Sequence, residues 1–278
     1  MKSTGQPSWA RWIGNTAVIL IVVIWLFPVY WIVATSLKRT GDIINPVPSF
    51  IFFNPTLDNY RTIFGPTYTF ADVVMNSFII AFCVTVLVIL LAIPAAYSLA
   101  RWETKGSERI AMWILSLRML PPVAVVIPYY VLATRLELID TYTVLILVYM
   151  AFGLPFAVWL MRGFFAEIPR ELDQAAMLDG YSYLAVLRKI IIPLATPSIA
   201  VTAIFTFIFS WNEFLLALLL TDVDAVTVPV QISKMILAYQ VLWGELSAAG
   251  VIALLPLLVV VFALQRYIVR GLTLGAVK

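Results

Sequence analysis

The chain has 278 residues, 63% of them hydrophobic and 12% charged, where soluble domains run near half apolar and a quarter charged. A soluble domain of this size has more surface than such a composition can cover with polar groups, so lipid is the solvent for much of it. A net charge of +3 argues against a nucleic-acid partner, and the absence of histidine removes the commonest general base and metal ligand.

A hydrocarbon core about 30 Å thick takes about 20 apolar helical residues. Six runs have that length: 12–35, 73–100, 110–133, 142–165, 198–220 and 247–269. The first follows Lys2 and Arg11 as a secretion signal would, but its apolar stretch is too long, and an uncleaved anchor is expected. The following segment, 36–72, contains NPVPSFIFFNPTLDNY, a Pro- and Asn-rich loop with aromatics. The single Cys83 lies in the apolar run FIIAFCVTVLVILL and reads as a small buried hydrophobe. Pro28, Pro94, Pro121, Pro122, Pro128, Pro155 and Pro256 mark most of the runs. Each removes an intrahelical hydrogen bond, which a membrane tolerates where neighbours or cavity water satisfy the freed carbonyl.

With the N-terminus inside, twelve of the eighteen Lys and Arg residues fall on inner segments, five on outer ones, and Arg118 within a span. The positive-inside rule then places both termini in the cytoplasm, together with segment 166–197 between the fourth and fifth runs. Segment 221–246 is outer and is expected to hold a short amphipathic helix. Its aromatics, like those of 36–72, serve either as interfacial anchors or as a docking surface for an external partner. Interfacial anchoring also accounts for Trp159, Trp211, Tyr149, Tyr239 and Trp243 taken one at a time, so none is assigned to a ligand.

Segment 166–197 reads as two helices. Pro169 suits a first helical position, Glu171 and Asp173 favour the positive dipole end, and Gly180 suits a left-handed stop, giving about eleven residues. Leu172, Ala175, Ala176 and Asp179 share one shallow face by spacing. Ser182 suits the N-cap of the second helix, Arg188 and Lys189 its C-terminal end, and Pro193 its break. Read locally, the pair either links two spans along the membrane surface or meets a partner.

Within the spans, Arg118 and Glu213 are charges in an apolar solvent, a costly placement that usually faces a bundle interior or cavity. Two readings stand: Arg118, Asn212 and Glu213 line a polar translocation route or gate, or they form a structural clasp and serve the carbonyls freed beside Pro121 and Pro122.

The helical segment resembles the cytoplasmic signature loop of binding-protein-dependent ABC importer permeases, an EAA motif followed three residues later by glycine. Gln174-Ala175-Ala176 stands in the EAA place, Asp179-Gly180 in the acidic–glycine place, and Pro193 matches the later proline. Gln174 departs from the expected glutamate, so no salt bridge from that position is carried over. MNSF (75–78), RMLPP (118–122), WNEFLLAL (211–218) and the ending LPLLVVVFALQRYIVRGLTLGAVK resemble the carbohydrate-uptake branch, of the maltose/trehalose type.

The resemblance implies an all-α, polytopic membrane protein with six transmembrane helices and the type I ABC importer permease fold. It implies one permease domain over 1–278, in a bacterial or archaeal inner membrane. Glu171, Asp173, Gln174, Ala175, Ala176, Met177, Leu178, Asp179 and Gly180 are then a coupling helix seated on a separate ATPase. The implied partners are a second homologous permease, two ATPase subunits that carry the ATP and Mg, and an extracytoplasmic substrate-binding protein. The chain has no GxxxxGK[ST] phosphate loop, no metal-ligand cluster and no paired carboxylates within a span, so no enzymatic activity is expected of it. The alternatives are a carrier driven by an ion gradient and an ABC permease for a non-sugar cargo such as glycerol phosphate.

Overall fold

A computed structural model describes residues 8–47, 49–102, 106–236 and 241–274, with backbone alone for 8–11 and 266–274. The GAVK ending and Tyr239 therefore lie outside the described residues. The principal helices are α1 (Ser8–Ser36), α2 (Phe70–Arg101), α3 (Ser107–Ser116), α4 (Pro122–Arg135), α5 (Tyr142–Glu167) and α6 (Glu171–Leu178). They continue with α7 (Tyr183–Leu194), α8 (Thr196–Trp211), α9 (Leu215–Leu220), α10 (Val228–Lys234) and α11 (Trp243–Leu274). Among the described residues there is no β-sheet, only one isolated bridge between Ile236 and Val241.

Among the described residues, four helices are each long and apolar enough to cross a membrane: α1, α2, α5 and α11. On α1 the apolar side chains from Trp12 to Phe27 are exposed, Trp25 at 77%, while Ala34 near its end is buried. Such an apolar surface is buried in lipid or against another apolar helix.

The third and fifth apolar runs are not straight helices. In the third, α3 continues through a tight turn at Leu117–Met119 and meets α4 at 84°. Leu120 and Pro121, each preceding a proline, take extended backbone with ψ of 119° and 130°. A proline ring excludes the helical conformation from the residue before it, so a double proline stops the helix outright. In the fifth, α7 and α8 meet at 79° around Ala195. Pro193 is not the break expected of it. A wide turn at Leu187–Ile191, in which the Ile192 N–H reaches back to the Leu187 carbonyl, precedes Pro193, and the helix runs on to Leu194. The run 198–220 is itself interrupted: α8 ends at Trp211, and α9 starts only at Leu215.

The chain divides into two compact units, one of Met1–Phe70 with Lys234–Leu254, the other of Ala71–Ser233 with Leu255–Lys278. In the first, Asn59 is the polar centre. Its Nδ2 donates to the carbonyls of Ser36 and Lys38, both at 2.8 Å, closing the end of α1. Gly244 lies against that amide, where any Cβ would collide with it. Lys38 is buried, donates to the Ser49 carbonyl at 2.6 Å and sits over the Trp31 ring at 4.4 Å.

In the second unit α5 packs against α3, α8 and α9, and α9 also packs on α4. Val84, Val88, Ala92 and Ala96 of α2 and Leu145, Ala157, Met161 and Phe165 of α5 are buried there. A polar knot fixes the chain between α9 and α10. The Asp140 carboxylate accepts from four consecutive backbone N–H groups, Asp222 to Ala225, at 2.8–3.0 Å. Asn76, of the MNSF motif, donates to the Asp224 and Val226 carbonyls and accepts from the Tyr142 hydroxyl. Ser77 accepts from the Val228 N–H. The short helix expected in 221–246 is α10, with Val228 and Val230 buried.

Burial by itself pushes the Asp140 carboxyl up, but the N–H groups of Asp222, Ala225, Asp224 and Val223 outweigh it and hold the group below the ordinary carboxylate value of 3.8. A depressed folded value means that the ionised form contributes stability at neutral pH and loses it as pH falls through that lower value. Asp140→Asn is therefore expected to speed amide hydrogen exchange at 222–225 by about tenfold at neutral pH, since hydrogen bonds to a charge are worth about 1.5–3 kcal/mol. The wild type should show the same loosening only in acid below pH 3.8. Unchanged exchange in the variant removes the knot as the cause of order in this segment.

Candidate functional site

Helix α6 is shorter than the sequence suggests. It begins at Glu171 after Arg170 at the N-cap, so Pro169 lies outside it, two residues before the first helical position. The Leu172 N–H closes a turn onto the Pro169 carbonyl at 3.4 Å, which spends that carbonyl before the helix starts. The other end is as the glycine predicts. Gly180 has φ of +87°, its N–H meets the Met177 carbonyl, and the Tyr181 N–H meets the Ala176 carbonyl. This pair of bonds satisfies the last carbonyls and fixes where the chain leaves the helix. Ser182 occupies the N-cap of α7 without a side-chain hydrogen bond.

Spacing groups Leu172, Ala175, Ala176 and Asp179 on one face, and the structure divides them. Asp173 and Ala176 are buried and Met177 half-buried, whereas Glu171, Leu172, Gln174, Ala175, Leu178, Asp179 and Gly180 are exposed. Leu178 is 90% exposed. The outward surface is thus short, small in the middle and apolar at Leu172 and Leu178.

Asp173 points inward because two partners hold it there. The Tyr97 hydroxyl donates to it at 2.7 Å, and the Arg101 guanidinium lies 2.8 Å away, both ionic side chains being 7% exposed. Arg101 also donates to the carbonyls of Phe165 and Ile168 at 3.0 Å, the unpaired end of α5. Arg170 donates to the Ala100 carbonyl at 3.2 Å. One buried ion pair therefore joins α6 to the ends of α2 and α5. Sequence reading treats Arg101 as an orientation signal and overlooks Tyr97. No local signal in the sequence marks either residue as a partner of Asp173, which lies more than seventy positions away.

The span residues form a separate site. Arg118, at the α3–α4 break, and Glu213, at the α8–α9 break, line one cavity of about 240 Å3 with Tyr149, Phe152, Thr206 and Phe209. No ion pair joins them. The Arg118 guanidinium stacks on Phe156 at 4.4 Å and Phe209 at 4.5 Å, and its Nη1 is buried without a hydrogen-bond partner. Glu213 accepts from the N–H groups of Leu216 and Ala217 at 3.0 and 3.1 Å, so its carboxylate caps α9. Asn212 is not on the cavity; its amide donates back to the Ile208 carbonyl at 2.8 Å and closes α8. Tyr149 is 4% exposed, and its hydroxyl faces the Glu213 carboxylate. Trp211 is buried and stacked on Phe207.

Removing one member of a buried ion pair leaves the other charge uncompensated, at about 3–5 kcal/mol. Arg101→Gln is expected to destabilise the purified protein by about 3 kcal/mol in detergent denaturation. The double variant Arg101→Met/Asp173→Leu should recover most of that loss. Equal destabilisation by the single and double variants contradicts the pairing as the source of the effect.

Residues 88–274 match the family described as "Binding-protein-dependent transport system inner membrane component". The trehalose/maltose transport system permease protein MalG of Thermococcus litoralis is 37% identical over 263 residues, covering 94% of this chain and 94% of that protein. The trehalose transport system permease protein SugB of Mycobacterium tuberculosis is 38% identical over 264 residues, covering 93% of this chain and 94% of that protein. A chain from the crystal structure of a bacterial ABC transporter involved in the import of the acidic polysaccharide alginate has the same fold, with a TM-score of 0.77 at 21% identity, over 95% of this chain and 99% of that one. In agreement with the motif resemblance, the chain belongs to the family of binding-protein-dependent transport system inner membrane components and is a multi-pass permease subunit of an ABC importer.

Proposed function

We propose that this subunit forms half of the pathway of an ATP-driven sugar importer, and that α6 is its coupling helix. The observation that carries the coupling role is the clamp at Asp173: an exposed helix, closed by Gly180 and locked to α2 and α5 by a buried ion pair, moves with the spans as one body. The sugar cargo rests on the relatives named for trehalose and maltose transport. In this reading each bent pair counts as one span, giving six, and both termini lie in the cytoplasm. The two units act as a single permease domain, with segment 166–197 facing the ATPase. The partners are a second homologous permease, two ATPase subunits carrying ATP and Mg, and an external binding protein. Arg118 and Glu213 line the route, and Asn212 shapes it by ending α8.

The test uses the reconstituted complex in proteoliposomes, with uptake of trehalose and maltose and ATP hydrolysis measured together. Wild-type uptake is expected to require ATP and to survive collapse of ion gradients; dependence on a gradient instead assigns the chain to carriers. Leu178→Asp places a charge in the apolar contact of α6 and is expected to lower uptake and binding-protein-stimulated hydrolysis together by about tenfold or more, as loss of an interface anchor does. Gly180→Pro forces a φ near −65° on a residue at +87° and is expected to abolish uptake while membrane insertion persists. Normal uptake by the inserted Gly180→Pro protein overturns the coupling assignment.

A further inference from the structure

Two of the membrane-length helices end at one cavity. It lies wholly in the first unit and has a volume of about 310 Å3. Trp31 and Thr35 bring to it the last two turns of α1, which stops at Ser36, and Trp243 is the first residue of α11. From Trp12 to Trp31 an α-helix rises about 28 Å, close to the thickness of a hydrocarbon core. The cavity therefore sits where the apolar part of both helices gives way to headgroups, the level that tryptophan favours.

The lining carries one charge of each sign, Lys38 and Asp42. Lys38 is 2% exposed. It spends one of its ammonium donors on the Ser49 carbonyl and rests over the rings of Trp31 and Phe53, at 4.4 and 5.1 Å. Burial pulls this ammonium below its ordinary value, and the Asp42 carboxylate draws it back up. Asp42 is half-buried in the short helical turn Thr40–Ile43. Among the described residues the two charges form no direct salt bridge. The Ser49 hydroxyl is buried in the wall and bonds nothing in the chain. Ile43 and Ile44 add apolar wall. An aromatic row leads here from the exposed face of α1: Phe27 stacks on Trp31 at 6.3 Å, and Trp31 meets Phe50 at 5.3 Å.

A cation, an anion and a hydroxyl beside two indoles complement a zwitterion whose anionic and cationic groups lie close together. A purely anionic headgroup meets like charge at Asp42, and a quaternary ammonium has no N–H for Asp42 to accept. We propose that the cavity seats the headgroup of one membrane phospholipid of the phosphatidylethanolamine kind. Its phosphate faces Lys38 and Ser49, its primary ammonium faces Asp42 and the indole rings, and its acyl chains run along the exposed apolar face of α1. Charge-assisted hydrogen bonds hold both ends, and the indole faces add attraction for the ammonium. At about 310 Å3 the cavity is at the small end of ligand pockets, which suits a headgroup without its chains. The site is independent of the transport reading.

Asp42→Asn is the decisive variant, because it keeps the shape of the side chain and removes its charge. Native mass spectrometry of the full transporter, titrated in detergent with phosphatidylethanolamine, phosphatidylglycerol and phosphatidylcholine, counts the lipids retained per complex. The wild type is expected to retain phosphatidylethanolamine in preference to the other two. Asp42→Asn should weaken one such site about tenfold, as loss of a hydrogen bond to a charge does, and leave phosphatidylglycerol binding undiminished. Asp42→Lys should turn the preference at that site to phosphatidylglycerol, a gain that the loss of a structural contact does not produce. Equal retention of the three lipids by the wild type overturns the proposal. So does a lipid preference that Asp42→Asn and Asp42→Lys leave unchanged. Displacement of the Asp42-dependent lipid by trehalose or maltose gives the cavity to a carbohydrate and overturns it as well.

Discussion

A buried peptide group has no water to bond, in protein or in hydrocarbon, and this constraint governs the places where these helices stop. The α8–α9 interruption is tolerable because Asn212 takes the Ile208 carbonyl and Glu213 takes the Leu216 and Ala217 N–H groups. The end of α5 is tolerable because Arg101 takes the Phe165 and Ile168 carbonyls. The end of α1 is closed in the same way by Asn59. The polar side chains that end these helices lie within an apolar run at Asn212 and Glu213, just outside one at Arg101, and in segment 36–72 at Asn59.

The same side chains then become available for function. Arg101 satisfies α5 and, with Tyr97, holds Asp173, so the element that faces outward at Leu178 is joined through one buried pair to two spans. Glu213 satisfies α9 and, in doing so, is held in the cavity wall opposite Arg118. In each case a group that ends one helix also fixes the position of another side chain or lines a cavity wall. The two charge sites nonetheless differ. Arg101 and Asp173 neutralise one another across 2.8 Å, while Arg118 stacks on Phe156 and Phe209 and Glu213 is held by the Leu216 and Ala217 N–H groups.

Much of the fold is legible in the residues. Long apolar runs with few charges mark α1, α2, α5 and α11, and the Asp179-Gly180 pair marks the end of α6. The Leu-Pro-Pro sequence at 120–122 marks a weak point, though not that it would turn the chain by 84°. Other features were out of reach. Pro193 lies within α7 because the wide turn before it shifts the hydrogen-bond register, a compensation set by neighbouring backbone. Asp173 and Ala175 look equally able to face a partner until α2 and α5 are packed beside them, since helical spacing defines a face and not what covers it.

By itself the sequence determined the solvent of the chain, its helical class, its family and the positions of helix α6 and of the charges within apolar runs, because these depend on composition, period and local backbone preference. Only the tertiary structure decided that Asp173 turns inward to Arg101, that Asn212 closes a helix rather than lining the cavity, and that Tyr149 does line it. Those outcomes depend on which helix ends meet, and residues 76 apart, such as Tyr97 and Asp173, carry no local sign of meeting.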